Sequence, residues 1–341
     1  MSLLALLTGA QAAQPLPNIP GPVSDPEAAT VPYQMPTTAP YNVPQYAVTP
    51  TPDGTGSCLH PDVVDMRQHG MDTWNGHRYW MAVTPWYRQT DPLENPIILY
   101  SDDGFTWSVP PGLTNPIDPP GKTLFDGSTG DRHLSDTDMA YDPATGRMWC
   151  YYRGAGGALG DRVWARWSTD GSTWSDRVSV VAPTGTNDTV ISPAVVRIQD
   201  GVWYMFTQKY RRTAPAPEGP WSAPEPITFT GTTTTIWHLN VIWTGGAFWA
   251  LLDVGRGGQE VHPAVSRDGL KWTAGPPVLS AGSGGWDDQR FYRSTLQLHP
   301  EGGKVRVWYS GHPNEDAGTT TTSWRVGYTH MNAKHWTDLG G

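Results

Sequence analysis

From residue 58 onward, apolar residues alternate with polar ones in short runs that come in pairs. HPDVVDM precedes HRYWMAV, SDTDMAY precedes RMWCYYR, SPAVVRI precedes VWYMFTQ, HLNVIW precedes AFWALLD, and YRSTLQL precedes VRVWYSG. The stretches between partners, WNG, DPATG, QDG, TGG and HPEGG, carry the residues that tight hairpins need. Short runs of this kind, bounded by turn residues, predict strands.

Further along each unit comes a Ser-x-Asp-Gly-x-x-Trp box. SDDGFTW ends at Trp107, STDGSTW at Trp174 and SRDGLKW at Trp272, and two worn copies, APEGPWS around Trp221 and HMNAKHW ending at Trp336, bring the units to five. Four antiparallel strands per unit, repeated five times, predict an all-β chain folded as a five-bladed β-propeller. After Trp336 only TDLGG remains, so the fifth unit lacks an outer strand of its own. Residues 45–49 are expected to supply it and close the ring, which divides the chain into a Pro-rich arm at 1–44 and a propeller at 45–341.

Composition changes the picture at the N-terminus. Residues 1–57 hold eleven prolines and only three charged residues, Asp25, Glu27 and Asp53. Such a segment builds no core and reads as an extended arm that lies on something else. Its opening, MSLLALLTGAQAAQ, is read as retained, because no Lys or Arg precedes Arg67 to form the positive region of a signal peptide. No run is long enough to span a bilayer. A net charge of −9 with 23 Lys and Arg and no basic run excludes a phosphate-backbone partner, so no nucleic acid is expected. The 38 Gly, 33 Pro and 18 Trp fit turns and flat aromatic surfaces suited to sugars, while Cys58 and Cys150 alone make neither a disulfide framework nor a zinc site.

Candidate chemistry lies on the axis and not in the boxes, whose aspartates have a complete task in bonding their own turns. Aligning the five inner strands places Asp62, Asp138, Ala194, Asn240 and Thr295 at one level. Two residues earlier, on the same face, stand His60, Asp136, Ser192, His238 and Arg293. Nine of these ten are polar, too many for an apolar core, so a wet funnel is expected. Trp80, Trp149, Trp203, Trp249 and Trp308 recur at one place and pack between blades. Trp86, Tyr87, Trp237 and Trp286 stand outside that repeat, near the funnel mouth, where flat rings can stack on sugars.

With five blades, HPDVV near the first strand, DTDMAYDPATGRMWCYYR in the second and short DG-x-x-W turns, residues 58–341 resemble the propellers of glycoside hydrolase family 43. That resemblance implies a base Asp on the first blade, a tuning Asp on the second and an acid Glu on a later inner strand. Here the tuning position falls on Asp138, with Asp136 beside it. The base position falls on His60, with Asp62 two residues on, and the acid position falls on His238. Asp62, Asp138 and, in DVGRGGQEVHP, Glu260 are therefore the catalytic candidates. His60, Asp136, His238, Asn240, Arg293, Trp86, Trp237 and Trp286 are the ligand-binding ones, with His133 on the rim. A sialidase would need an arginine cluster, for which Arg153, Arg290 and Arg293 exist, but also six blades. His60, His238 and nearby Asp are suitable metal-ligand types without diagnostic spacing, so no metal or other cofactor is expected.

A Pro-rich arm joined to a propeller with replaced carboxylates resembles minor tail proteins of phages that infect actinobacteria. The resemblance implies a virion-associated, tail-tip propeller that meets other tail proteins through residues 1–44. It would hold an arabinogalactan-like host cell-wall glycan without efficient catalysis. The alternative is a secreted glycoside hydrolase acting on arabinan- or xylan-like polysaccharide.

Overall fold

The computed structural model describes residues 47, 49–87, 93–118, 133–156, 160–183, 185, 188–231, 235–256, 258–281, 287–298, 303–312 and 324–340. The arm expected at 1–44 and Trp286 lie outside them. The first sheet comprises β1 (Cys58–Asp65), β2 (Tyr79–Pro85) and β3 (Ile97–Ser101). The second comprises β4 (His133–Asp142), β5 (Arg147–Ala155), β6 (Arg162–Ser168) and β7 (Val178–Val181). The third comprises β8 (Ala194–Arg197), β9 (Trp203–Phe206), β10 (Tyr210–Ala214) and β11 (Glu225–Pro226). After it, β12 (Thr228–Thr230) crosses to the next blade. The fourth blade holds β13 (Ile236–Thr244), β14 (Ala247–Val254), β15 (Glu260–Ser266) and β16 (Lys271–Ala274), with β12 parallel to β16 and β17 (Leu279–Ser280) paired to β15. The fifth comprises β18 (Arg290–Leu298), β19 (Lys304–His312) and β20 (Arg325–Asn332), followed by one helical turn, α1 (Lys334–Thr337).

The inner strands β1, β4, β8, β13 and β18 each neighbour two others and form a closed ring, so the chain is a five-bladed propeller. Five apolar layers fill the spaces between successive blades, and the recurrent tryptophans of the second strands sit in them. Trp80, Trp249 and Trp308 are essentially sealed from solvent. On the outer edge of the fifth blade, the Ala47 amide donates to the Val326 carbonyl of β20 at 2.9 Å.

The three full boxes share one geometry. Asp103 Oδ1 accepts from the amides of Phe105 and Thr106, and Asp170 and Asp268 do the same two and three residues on. The serine that opens each box accepts from the glycine amide at 2.8 Å. Gly171 has φ +76°, and a Cβ there would collide with the Trp80 ring of the first blade, so glycine is required twice over. The worn fifth copy differs: Asn332 Oδ1 caps the Lys334 amide and the chain turns as α1. Trp336 nonetheless stacks on Trp249 with centroids 5.8 Å apart, so the packing role survives the loss of the turn.

Candidate functional site

The inner strands break at a common level. Pairing of β1 with β2 slips between Leu59 and Asp62, and that of β4 with β5 between Ser135 and Asp138. The slips in β13 and β18 fall at Ile236/His238 and Phe291/Ser294. At these breaks His60 and Asp136 take left-handed backbone, φ 55° and 56°, and Ser192 just ahead of β8 has φ 57°. Non-glycine residues occupy that region rarely, and bulges of this kind re-aim a side chain.

Beneath the breaks a belt of hydrogen bonds crosses every blade junction. Asp62 Oδ2 accepts from the Met139 amide at 2.6 Å, and Asp138 Oδ2 from the Val195 amide at 2.8 Å. Ala194 has no polar group to continue the pattern, and Ser192 Oγ takes its place by accepting from the Leu239 amide at 3.2 Å. Asn240 Oδ1 then accepts from Leu296 at 3.1 Å, and Thr295 Oγ1 from Val63 at 3.5 Å. Asp62 Oδ1 also receives Asn240 Nδ2 at 2.7 Å and Thr295 Oγ1 at 2.9 Å, while Arg293 Nη2 reaches Asp138 Oδ1 at 3.0 Å and the Pro193 carbonyl at 2.9 Å. Burial pushes both carboxyls upward, and the Asp62 charge adds to the effect on Asp138. On the far side of the belt lies a cavity of about 470 Å³, floored by Asp62, Asp138 and Asn240 and walled by the C-terminal halves of the inner strands.

On the near side, His60, Asp136 and His238 converge, with one ligand-type atom from each within 4.8 Å of the others. All three are buried, at 0%, 2% and 1% exposure. His60 Nε2 stands 3.1 Å from Asp136 Oδ1, and neither ring nitrogen of His238 has a hydrogen-bond partner among the described residues. Burial alone would raise the Asp136 carboxyl, but His60, His238 and Arg153 hold it well below the usual carboxylate range. Burial, against the Asp136 charge, drives the His238 imidazole well below its ordinary value, so it is neutral at pH 7. Two imidazoles and a carboxylate with buried, unsatisfied nitrogens fit a divalent cation such as zinc, with positions left open for other ligands.

Around this cluster, His60 Nδ1 bonds Thr84 Oγ1 at 2.7 Å and lies 3.6 Å from Glu94 Oε1. The other oxygen of Glu94 is 3.0 Å from His133 Nδ1. Burial lowers the His133 value, yet the Glu94 carboxylate beside it brings the net shift upward. Tyr292 packs on both histidines, 5.2 Å from His60 and 4.6 Å from His238, and burial pushes its phenol up to about 12. Trp86 stacks on Tyr292 at 6.2 Å, Trp324 meets it edge-on at 5.5 Å, and Trp237 stands 6.0 Å from His238.

Of the sequence candidates, His60, Asp136 and His238 come together as one cluster, Asp62, Asp138, Asn240 and Arg293 form the belt below it, and Trp86 and Trp237 flank it. Glu260 is apart from both: it opens β15, is exposed, and its Oε2 lies 3.2 Å from His262 Nε2. Arg153, Arg290 and Arg293 do not form one cluster, since Arg153 pairs with Asp161, Arg290 lies over Trp324 and Arg293 is in the belt. Sequence reasoning passed over Glu94, Tyr292, Trp324 and Arg256. Tyr292 occupies the extra bulge position, where period-two alternation fails, and Glu94 stands in a connection outside the repeat.

No family model matches the chain. The A type blood N-acetyl-α-D-galactosamine deacetylase of Flavonifractor plautii is 27% identical over 349 residues, which cover 79% of this chain; the chain spans 44% of that relative. A crystal structure of an N-acetylgalactosamine deacetylase from F. plautii in complex with blood group B trisaccharide has a TM-score of 0.72 at 25% identity, over 86% of this chain and 95% of that one. A GH43 protein from Bacillus licheniformis, at 20% identity and a TM-score of 0.58, matches 80% of this chain and 52% of its own, and shares the fold. The chain is thus a five-bladed β-propeller similar to the GH43 glycoside hydrolases and to the F. plautii deacetylase.

Proposed function

We propose that this propeller binds glycan at the mouth above the belt and hydrolyses the acetamido group of an N-acetylated sugar. The observation that carries the reading is the buried trio His60, Asp136 and His238, in which neither nitrogen of His238 has a hydrogen-bond partner among the described residues. Likeness to a deacetylase over four fifths of the chain supports it. His60, Asp136 and His238 would hold a divalent cation, which would supply Lewis-acid polarisation of an acyl carbonyl. Glu94 is the carboxylate that takes the proton of the attacking water, and His133, biased toward its protonated form by Glu94, returns one to the leaving nitrogen. Tyr292 keeps its proton throughout the neutral range and donates to the oxygen on which charge develops. Trp86 and Trp237 bear on the sugar faces.

Under this reading Asp62 and Asp138 act as staples of the ring, because their hydrogen bonds already join blades. The test is acetate release from N-acetylgalactosaminides by protein loaded with zinc or manganese. Release that stops with a chelator and in His238→Ala supports the reading, and release of reducing sugar without acetate overturns it. A second reading rests on the Pro-rich composition of residues 1–57: residues 1–44 anchor the propeller in a phage tail tip, with a wall glycan as its target. Removing residues 1–40 tests it, since a folded propeller that still joins particles would sink the anchor.

A further inference from the structure

Two guanidinium groups stand on the aromatic wall of this mouth. Arg256 Cζ lies 5.3 Å over the ring of Trp237, the neighbour of His238, and Arg290 Cζ lies 6.0 Å over Trp324, which packs edge-on against Tyr292. Arg256 also acts electrostatically on the Tyr292 phenol, which ties it to the same space. Neither guanidinium meets a carboxylate among the described residues, whereas Arg153 is held by Asp161 and Asp136 and Arg293 by Asp138. Among the described residues the side chain of Arg290 donates to Gln289 Oε1 at 3.2 Å, a neutral acceptor.

In a chain of net charge −9, the exposed Arg256 and the half-buried Arg290 put two positive charges on this aromatic wall, without a carboxylate partner among the described residues and open to an anionic ligand. A guanidinium held over an indole by cation–π attraction keeps its Nη–H groups available to donate. An anion seated between two such edges gains charge-assisted, bidentate hydrogen bonds, and the tryptophans supply faces for its sugar ring.

Resting on the deacylase reading for the position of the acetamido group, we propose that the glycan of this site is acidic. A carboxylate, sulfate or phosphate on the N-acetylated sugar or its neighbour would be received by Arg256 and Arg290.

Four probes test this with the full-length, metal-loaded protein by calorimetry at low salt: an N-acetylgalactosamine–glucuronate disaccharide, its carboxyl-reduced neutral form, and the 6-sulfate and 6-phosphate of N-acetylgalactosamine. The expected result is binding of at least one acidic probe about tenfold or more tighter than the neutral disaccharide, consistent with a charge-assisted pair. That margin should shrink with salt and vanish in the Arg256→Ala/Arg290→Ala double variant. The preferred acidic probe identifies the anion. Equal affinity for neutral and acidic probes in the unaltered protein overturns the inference, independently of how the variant folds, as does a margin that persists in a folded double variant. Acetate measured in the same samples separates the two ideas. Release without a charge margin sinks the acidic-glycan inference and keeps the deacylase, while a margin without release supports the acidic site and sinks the deacylase.

Discussion

Nε2 of His60 stands 3.1 Å from Oδ1 of Asp136, although 76 residues separate them and each comes from a different blade. The meeting depends on matched bulges that turn both residues left-handed and inward. Replacing Asp136 with Asn should therefore abolish tight binding of one divalent ion per chain, measured by equilibrium dialysis with elemental analysis. His238→Ala should do the same, because its nitrogens have no hydrogen-bond partner among the described residues. Undiminished ion content in both variants would refute a cation site at the trio.

Glu94→Gln separates proton transfer from ion holding. The amide keeps an oxygen toward His133 but cannot accept a proton, so acetate release should fall about a hundredfold or more while ion content stays at one per chain. An equal loss of ion and activity would place Glu94 among the ligands instead.

Much of this was legible in the sequence. The Ser-x-Asp-Gly-x-x-Trp boxes located the blades because every copy must solve one turn with one set of bonds, and alignment of the inner strands brought His60, Asp136 and His238 to one level. What alignment could not distinguish was the hydrogen-bonded belt from the buried trio. Nothing local to Asp62 shows its engagement, because its three hydrogen bonds come from residues 77, 178 and 233 positions away. Tyr292 was hidden for a related reason, since an extra bulge residue inverts the facing rule that the strands otherwise obey.

That difference is measurable at Asp62. Substitution by Ala strands two donors and an amide in a buried belt, and should lower unfolding free energy by about 3 kcal/mol or more in urea titrations. A variant as stable as the parent but without activity would restore Asp62 as a catalytic base.

Gly171→Ala probes the box. It combines a backbone penalty at φ +76° with collision against Trp80, and should cost about 2 to 3 kcal/mol. Gly146→Ala is the control: with φ +70° and nothing within 4 Å, it carries the backbone penalty alone, about 1 kcal/mol. Equal losses at the two positions would mean that the inter-blade packing at Gly171 yields freely.

Asp253, across the sheet from His238 on β14, gives the fold a pH signature. Burial pushes its carboxyl up to about 7 against the pull of two hydrogen bonds from Ser294, one from the amide and one from Oγ. In the unfolded chain the same group titrates near 3.8. Between these values the folded protein keeps a proton that the unfolded chain has released. This contribution to stability is therefore present in full below pH 4 and is lost as pH rises toward 7, at about 1 kcal/mol per pH unit. Asn at this position cannot ionise, retains an oxygen for the Ser294 amide and offers an N–H to Ser294 Oγ. Subtracting the variant's stability curve from that of the parent across pH 4 to 7 isolates the group from Asp287, which burial also raises, to about 6. The difference should slope downward with pH for the parent; a flat difference would show that Asp253 is already ionised in the folded state at pH 4.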